Sequence, residues 1–220
     1  MPKTTVTLRL VAAAALSLIA GAPEPTAAQS LATRVTRVRS GTVRMSYASR
    51  PDVCGNGRGN ISTTSSSRSG RRDEWEDECE HGPVRVALDV ADGHVIAIRA
   101  YVGGRWKASG DATDLGMVGV REATEYLLGT VVRDGGRAAR DAIFPATIAD
   151  SVTTWPRLLD IARDDDVERG TRTQAVFWIG QAAGERATAG LRDVADDVKV
   201  DREVRKQAVF RLKPRTSCRH

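Results

Sequence analysis

An internal repeat in the second half of the chain constrains the fold more than any other feature of the sequence. The tetrapeptide Gln174-Ala175-Val176-Phe177 recurs as Gln207-Ala208-Val209-Phe210, at an offset of 33 residues. A period in the low thirties, with two helices in each unit, is typical of an α-α solenoid. The other residues that match at this offset are Leu158 with Leu191, Asp160 with Asp193, Ile161 with Val194, Ala162 with Ala195, Asp164 with Asp197, Arg172 with Arg205, and Ile179 with Leu212.

The matched residues predict three helical units within a solenoid that spans residues 115–213. A degenerate unit covers about 120–150, a full unit about 155–184 and a final unit about 185–213. Apolar residues at helical spacing supply the inward faces of the helices, and small alanines let neighbouring helices approach closely. An irregular helical bundle with a chance tetrapeptide match is the alternative interpretation.

The last residues of the sequence depart from this pattern. Pro214 stops the final predicted helix early, so residues 214–220 are expected to form an irregular tail. A solenoid also needs a polar capping unit at its end, and the sequence offers none. We hypothesise that the chain is a truncated or frame-shifted relative of longer proteins.

The first half of the chain, residues 29–112, carries the two-residue period of half-buried strands. Apolar and polar residues alternate from Val43 to Tyr47, and two further alternating runs flank Asp92-Gly93, which predicts a β-hairpin. The stretch 55–73 is rich in Gly, Ser, Asn and Arg, which predicts a mobile loop. The sequence therefore predicts an α+β fold, in which a small antiparallel β region precedes the solenoid.

Residues 1–28 have the order of a secretory signal peptide. Lys3 and Arg9 precede an apolar stretch of about 13 residues, and Thr26-Ala27-Ala28 provides small residues for a signal peptidase. The stretch is shorter than the roughly 20 residues that span a bilayer, so a retained anchor is the lesser alternative. We expect no stable membrane span after cleavage, and a periplasmic or secreted protein.

Three cysteines follow the predicted signal peptide. In an oxidising compartment Cys54 and Cys79 are the natural pair, at or near the two ends of the polar stretch. Closing that loop would stabilise the fold by about 3 kcal/mol in the chain-entropy treatment of disulfides. Cys218 is left over, and its state stays open.

The repeat units resemble HEAT and HEAT-like repeats. The residues that carry this resemblance are Leu158, Ile161 and Ala162, then an acidic turn, then Arg172-Thr173-Gln174-Ala175-Val176-Phe177. The stretch Ala142-Ile143-Phe144-Pro145-Ala146 and the motif Val53-Cys54-Gly55 are similar to exported HEAT repeat-containing proteins of environmental bacteria. The resemblance covers the second half of the chain well and the first half weakly. It implies an α-solenoid that binds protein partners, and it implies no reaction.

The sequence carries no catalytic or metal-binding motif, and it predicts no cofactor. It lacks a nucleophile elbow, a His-Glu-x-x-His helix and a phosphate-binding loop. His81 follows Cys79 and several acidic residues, but the spacing matches no zinc pattern and the thiol is better used in a disulfide. Asp164-Asp165-Asp166 is expected near a helix N-terminus rather than around calcium. The basic residues are scattered in a chain of formal charge +5, which argues against a nucleic-acid face.

These observations favour a non-catalytic, exported protein-binding or assembly module, with a partner that the sequence does not identify. Arg172, Arg205, Gln174 and Gln207 are candidate contacts, although the two arginines are better suited to pair with aspartates between repeats. One alternative is that the β region and its Gly/Ser/Arg-rich loop bind a ligand or an envelope surface, with the solenoid as a spacer. Another is an enzyme of the HEAT-like lyase type, as in bilin lyases, for which Cys218 and His220 are the nearby candidates.

Overall fold

The computed structural model describes residues 29–63, 79–107, 111–182 and 185–212. The predicted signal peptide and the predicted tail at 214–220 lie outside the described residues. Within the described part, no helix combines the length and apolar character needed to cross a membrane.

Most of the strands belong to one mixed sheet. The strands are β1 (Ser40–Tyr47), β2 (Val53–Gly55), β3 (Ile61–Thr63), β4 (Val84–Ala91), β5 (His94–Val102) and β6 (Ala112–Met117). The strand order of the sheet is β5-β4-β1-β6, with β1 antiparallel to β4 and parallel to β6, while β2 and β3 pair separately as a small antiparallel hairpin. The prediction of a purely antiparallel β region is therefore wrong, because β6 pairs parallel to β1.

The hairpin predicted around Asp92-Gly93 is confirmed. β4 and β5 pair antiparallel across a two-residue turn in which Asp92 has φ 52° and Gly93 has φ 83°. Positive φ at both central residues gives the turn a twist that matches the twist of the flanking strands, and Asp-Gly tolerates it. The turn therefore sets the register in which Val90 lies opposite Val95, and a register shift between Asp89 and Val90 then brings Leu88 opposite Ile98.

One face of the four-stranded sheet forms the floor of the core. Val43, Met45 and Tyr47 of β1 are fully buried on it, in register with alternate apolar residues of β4. The Tyr47 hydroxyl donates a hydrogen bond to the Pro145 carbonyl oxygen at 2.9 Å, and burial raises the pKa of this tyrosine above its ordinary value. The sheet and the helices that cover it are thus joined by apolar packing and by a buried polar contact.

Short helices supply the other layer. One continuous cluster of buried side chains extends from Leu31 to Ala208 and includes residues of both the sheet and the helices. The helices are α1 (Leu31–Thr36), α2 (Val120–Glu125), a π-helix (Tyr126–Val131), α3 (Val132–Asp134), α4 (Gly136–Asp141), α5 (Ile143–Thr147), α6 (Trp155–Arg163), α7 (Arg169–Ile179), α8 (Glu185–Asp196) and α9 (Arg202–Leu212).

The predicted α-α solenoid of HEAT-like repeats is wrong. α6 packs on α7 and α8 packs on α9, so the 33-residue recurrence corresponds to two pairs of helices, each 9 to 12 residues long. The segment predicted as the first unit, about 120–150, adds no third pair. Its helices are 3 to 6 residues long, and their apolar residues share the core of the sheet. Because a solenoid needs at least about three stacked units, the two pairs extend an α+β core instead.

The disulfide between Cys54 and Cys79 is confirmed, with a Cα–Cα distance of 5.2 Å. Cys54 lies in β2, which pairs with β3 in the small hairpin. Ile61–Thr63 form a strand, although they lie within the segment predicted as a mobile loop. Residues 64–73 of that predicted loop lie outside the described residues. A disulfide of this kind fits an oxidising compartment.

The disulfide-linked hairpin lies directly against the end of β5. A Cβ atom added at Gly55 would lie 2.6 Å from the Val102 carbonyl oxygen, and one added at Gly103 would lie 2.6 Å from the Gly55 carbonyl oxygen. Gly103 also has φ +72°, a backbone conformation that favours glycine. The two backbones therefore approach closely because neither position carries a side chain.

Candidate anion-binding cleft

The described part of the acidic cluster around His81 serves the disulfide-linked hairpin. The Glu80 carboxylate accepts a hydrogen bond from the Gly104 N–H at 2.8 Å, and His81 Nδ1 lies 3.0 Å from the Val53 carbonyl oxygen. Residues 77–78 lie outside the described residues. Glu80 and His81 thus fix the backbone where the hairpin meets the end of β5.

Of the two arginines singled out in the repeats, Arg172 has a structural partner. Arg172 is 8% exposed, and its Nη1 donates a hydrogen bond to Asp165 Oδ1 at 2.7 Å. Between the two helix pairs, Arg169 Nε donates to Asp201 Oδ2 at 3.1 Å. The Arg205 Nε is buried and has no acceptor among the described residues. These contacts join the turns between helices, and they assign no ligand to this surface. Cys218 and His220 lie outside the described residues.

A π-helix interrupts the helical run from Val120 to Asp134. The six residues Tyr126–Val131 are wound more widely than the α-helical turns on either side of them. Its side chains Tyr126, Leu127 and Leu128 are buried in the core. Because an N–H in a π-turn bonds one residue further back than in an α-helix, the turn bulges, and such bulges occur frequently at functional sites.

A cleft of about 420 Å³ lies between this helical run and the segment that leads into α6. Its volume falls within the range of about 300–1,000 Å³ that is usual for small-molecule sites. One wall is formed by Arg121, Thr124, Glu125, Leu128, Gly129 and Arg133, and the other by Val152, Thr153, Thr154 and Arg157.

The first wall is a single stripe along the helical run. Positions 121, 125, 129 and 133 follow one another at four-residue intervals, and the wider π-turn lies between the second and the last of them. Leu128 is 1% exposed and gives this wall an apolar floor, which Val152 continues from the opposite side. The stripe therefore combines an apolar base with charged side chains at the rim.

The rim of the cleft is positively charged. Arg121, Arg133 and Arg157 are all exposed there, against the single carboxylate of Glu125. Arg157 Nη1 lies 3.6 Å from Asp160 Oδ2, at the outer limit of a surface ion pair. Within the described part of the chain, neither Arg121 nor Arg133 lies within ion-pair distance of a carboxylate. Two guanidinium groups are thus left available to an anion from solution.

Gly129 leaves room at the centre of the cleft. It lies within the π-helix and lines the cavity, and a Cβ atom added there would meet nothing within 4 Å. Glycine costs a helix about 1 kcal/mol relative to alanine, so a helical glycine with empty space beside it has no packing reason to be glycine. The vacant space is continuous with the apolar floor at Leu128.

The groups that line the cleft are suited to binding. A guanidinium stays protonated in proteins, offers five N–H donors in a planar fork and matches carboxylate and phosphate oxygens. The Thr124 hydroxyl donates to the Val120 carbonyl oxygen at 2.9 Å within its own helix. On the buried side of the same helix, burial and then the charge of Asp134 raise the pKa of Tyr126, so that side chain stays uncharged.

The sequence predicts the helix of this cleft but not the cleft itself. The apolar stripe that includes Val120, Leu127 and Leu128 predicts a helix buried on one face. The charged residues on the edge of that face, Arg121, Glu125 and Arg133, were not singled out. Helical spacing could have brought these residues together, but the opposite wall comes from residues 152–157, whose position depends on the fold.

Comparison with known proteins gives this chain no relative. No protein-family model matches it, and neither does any curated protein or any solved structure. The resemblance of its repeats to HEAT repeat-containing proteins therefore stays a prediction.

Proposed function

We propose that this protein is an exported, non-catalytic binding protein that takes an anionic, partly apolar small molecule into the cleft between the π-helix and α6. The observation that carries the proposal is the pair of exposed guanidinium groups, Arg121 and Arg133, above an apolar floor. A carboxylate or a phosphate is the chemistry that such groups recognise.

The apolar part of the ligand follows from the base of the cleft. Leu128, Val152 and the open space beside Gly129 offer surface to a hydrocarbon chain or ring and little to a polar group. Burying apolar ligand surface contributes roughly 25 cal/mol per Å². A ligand with an acidic head and a short apolar body uses both the rim and the base.

The exported location rests on two observations. The order of residues in 1–28 is typical of a secretory signal peptide, and the disulfide between Cys54 and Cys79 fits an oxidising compartment. A binding protein in the periplasm or outside the cell would meet its ligand in free solution or at an envelope surface.

Calorimetric titration of the mature-start protein, residues 29–220, tests the proposal. The probes are octyl phosphate and octanoate, with octanol as the uncharged analogue and inorganic phosphate as the analogue without the apolar chain. We expect the two amphiphilic anions to bind at least tenfold more tightly than either analogue. Equal affinity for octanol and octanoate would contradict a role for the guanidinium groups.

The variant Arg121→Ala with Arg133→Ala assigns the binding to the cleft. A hydrogen bond to a charged group contributes about 1.5–3 kcal/mol, so we expect at least a tenfold loss of affinity for octyl phosphate. Arg137→Ala is the matched control, since Arg137 is an exposed arginine of α4 that pairs with Asp141 at 3.3 Å and does not line the cleft. Equal losses in the variant and in the control would indicate nonspecific attraction to a basic protein and would overturn the proposed site.

A further inference from the structure

The face of the sheet that points away from the helices carries a second cavity. On this face Arg44 of β1, Ala87 of β4 and Arg99 of β5 lie side by side in register. Ala87 is only 3% exposed, and it lines a cavity together with Arg44 and Trp106. The described residues of the connection that follows β5, 103–107, contact this face of the sheet.

The described part of this connection, residues 103–107, is held to the sheet by polar contacts. Arg85 donates to the Gly104 carbonyl oxygen from Nε at 3.1 Å and from Nη2 at 2.6 Å. Arg44 Nη1 donates to the Lys107 carbonyl oxygen at 3.0 Å. Trp106, between these two anchors, has its ring centroid 5.8 Å from that of Tyr101 and 4.8 Å from the Arg44 guanidinium carbon.

A polar cavity of about 170 Å³, the sheet-face cavity, lies between this connection and the sheet. It has room for roughly five water molecules at about 30 Å³ each, or for one small ring. Its walls are Thr42, Arg44, Ala87, Arg99, Tyr101, Trp106, Asp111 and Ala112.

Two buried N–H donors of this wall have no acceptor among the described residues. They are Arg44 Nε and Trp106 Nε1, on side chains that contact each other. A buried donor without a partner is unfavourable, so this pair on one cavity wall is suited to an acceptor that is not among the described residues.

The charges around this cavity balance, in contrast to those of the anion-binding cleft. Arg99 forms a two-pronged ion pair with Asp89, with its Nη2 donating to Asp89 Oδ1 at 2.9 Å, and Thr42 Oγ1 donates to the same oxygen at 3.0 Å. Asp111 on the cavity wall balances Arg44 in formal charge. A full negative charge on a ligand would therefore gain little here, whereas a neutral ligand that both accepts and donates hydrogen bonds would fit.

We infer that this cavity binds one ring of a neutral carbohydrate. Sugar hydroxyls accept hydrogen bonds from N–H donors such as those of Arg44 and Trp106, and they donate to carboxylate and hydroxyl oxygens such as those of Asp111 and Tyr101. Each hydroxyl both donates and accepts, which is the combination that a charge-balanced wall of this kind requires. The site is separate from the anion-binding cleft and does not depend on it.

Ligand-observed NMR titration of the mature-start protein tests this inference. The probes are the methyl β-glycosides of glucose, galactose, mannose and N-acetylglucosamine, with methyl β-D-glucuronide as the anionic analogue. We expect at least one neutral glycoside to bind, and to bind more tightly than the glucuronide. Binding of the glucuronide alone, or of none of the probes at millimolar concentration, would overturn the inference.

Two variants assign the binding to the cavity. Trp106→Phe keeps the ring but removes the indole N–H, so we expect a threefold to tenfold loss of affinity, as for one neutral hydrogen bond of about 0.5–1.5 kcal/mol. Trp155→Phe, at the start of α6, is the matched control and should leave the affinity unchanged. Arg44→Met is the second cavity variant and should lower the affinity at least as much. Unchanged affinity in both cavity variants would exclude this site.

Discussion

The anion-binding cleft and the sheet-face cavity use arginine in opposite ways. In the sheet-face cavity, Arg99 pairs with Asp89 and Arg44 donates to a carbonyl oxygen and lies against an indole ring. In the cleft, Arg121 and Arg133 lie beyond ion-pair distance of every carboxylate among the described residues. Both sites have arginine in their walls, yet only the cleft has an excess of positive charge.

The difference indicates that attraction for an anion depends on the charge that remains after internal ion pairing more than on the number of arginines. A guanidinium that is already paired mainly positions its neighbours, and its long-range attraction for an anion is largely cancelled. An unpaired guanidinium keeps its attraction, which screening by salt weakens at the surface. Substitutions at either site should remove or enhance this contrast.

The largest effect is expected from the double substitution Cys54→Ser with Cys79→Ser. The linked cysteines are 25 residues apart, and losing such a link lowers the free energy of unfolding by about 3 kcal/mol. Because Glu80 and Gly55 contact Gly103 and Gly104, the glycosides should lose affinity at the sheet-face cavity while octyl phosphate keeps its affinity for the cleft. Urea unfolding and the two titrations check this. An equal loss at both sites would contradict a local role for the disulfide.

Gly129→Leu should separate affinity from stability. The side chain would fill the open space at the centre of the cleft, so we expect the affinity for octyl phosphate to fall at least tenfold. Replacing a helical glycine should also raise the free energy of unfolding by about 0.5–1 kcal/mol. Gly129→Ala is the control, with the same gain in stability and a smaller loss of affinity. A loss of stability in both variants would show that the π-helix requires glycine at this position.

Asp89→Asn should give the sheet-face cavity an unpaired positive charge, as in the anion-binding cleft. It leaves Arg99 without its carboxylate, so we expect the preference to shift from the neutral methyl glucoside towards methyl glucuronide. The loss of an exposed ion pair should lower the free energy of unfolding by only about 0.5–1 kcal/mol. Asp160→Asn, which removes the partner of Arg157, is the control and should leave glycoside binding unchanged. An unchanged preference would mean that charge balance does not select the ligand.

The smallest effect concerns acid stability. Hydrogen bonding from Arg99 holds the pKa of Asp89 below its usual value, although burial of the carboxyl opposes this and Thr42 assists it. The stabilisation is therefore fully present above the unfolded-state pKa of about 3.9 and is lost as the pH falls through the lower folded-state pKa. The difference in unfolding free energy between the native protein and Asp89→Asn should shrink below pH 4, by less than about 1 kcal/mol. A constant difference down to pH 2 would contradict this assignment.

Elements specified by local sequence were predictable. Asp92-Gly93 favours a tight turn by its own conformational preference. The alternation of apolar and polar residues from Val43 to Tyr47 is typical of a strand with one buried face. The recurrence of Gln174 to Phe177 falls in α7 and α9, the second helix of each pair. Each of these features depends on residues that are near one another in the sequence.

Features that depend on distant contacts were not predictable. The sequence of residues 112–117 does not predict that this strand pairs parallel to β1, because parallel strands are joined by a long connection whose path depends on the whole fold. The apolar face of 120–131 suits a repeat unit and a cover for a sheet equally well, and tertiary packing decided between them. The sheet-face cavity was missed for the same reason, since Trp106 contacts Arg44, a residue far from it in the sequence, only in the folded chain.

The π-helix also has a consequence for how this cleft tolerates insertions and deletions. A π-turn holds one residue more than the α-helical turn it replaces, and one residue corresponds to about 100° of rotation about the helix axis. In ordinary α-helical winding, the twelve steps from Arg121 to Arg133 would place the two side chains about 120° apart, so the extra residue held by the π-turn keeps both arginines on one side of the helix. A deletion of Thr130 that restored α-helical winding would leave eleven steps, which again place the two arginines within about 20° of each other. The charge pattern of the cleft should therefore survive the loss of one codon in this segment, whereas an α-helical segment of the present length would separate the arginines.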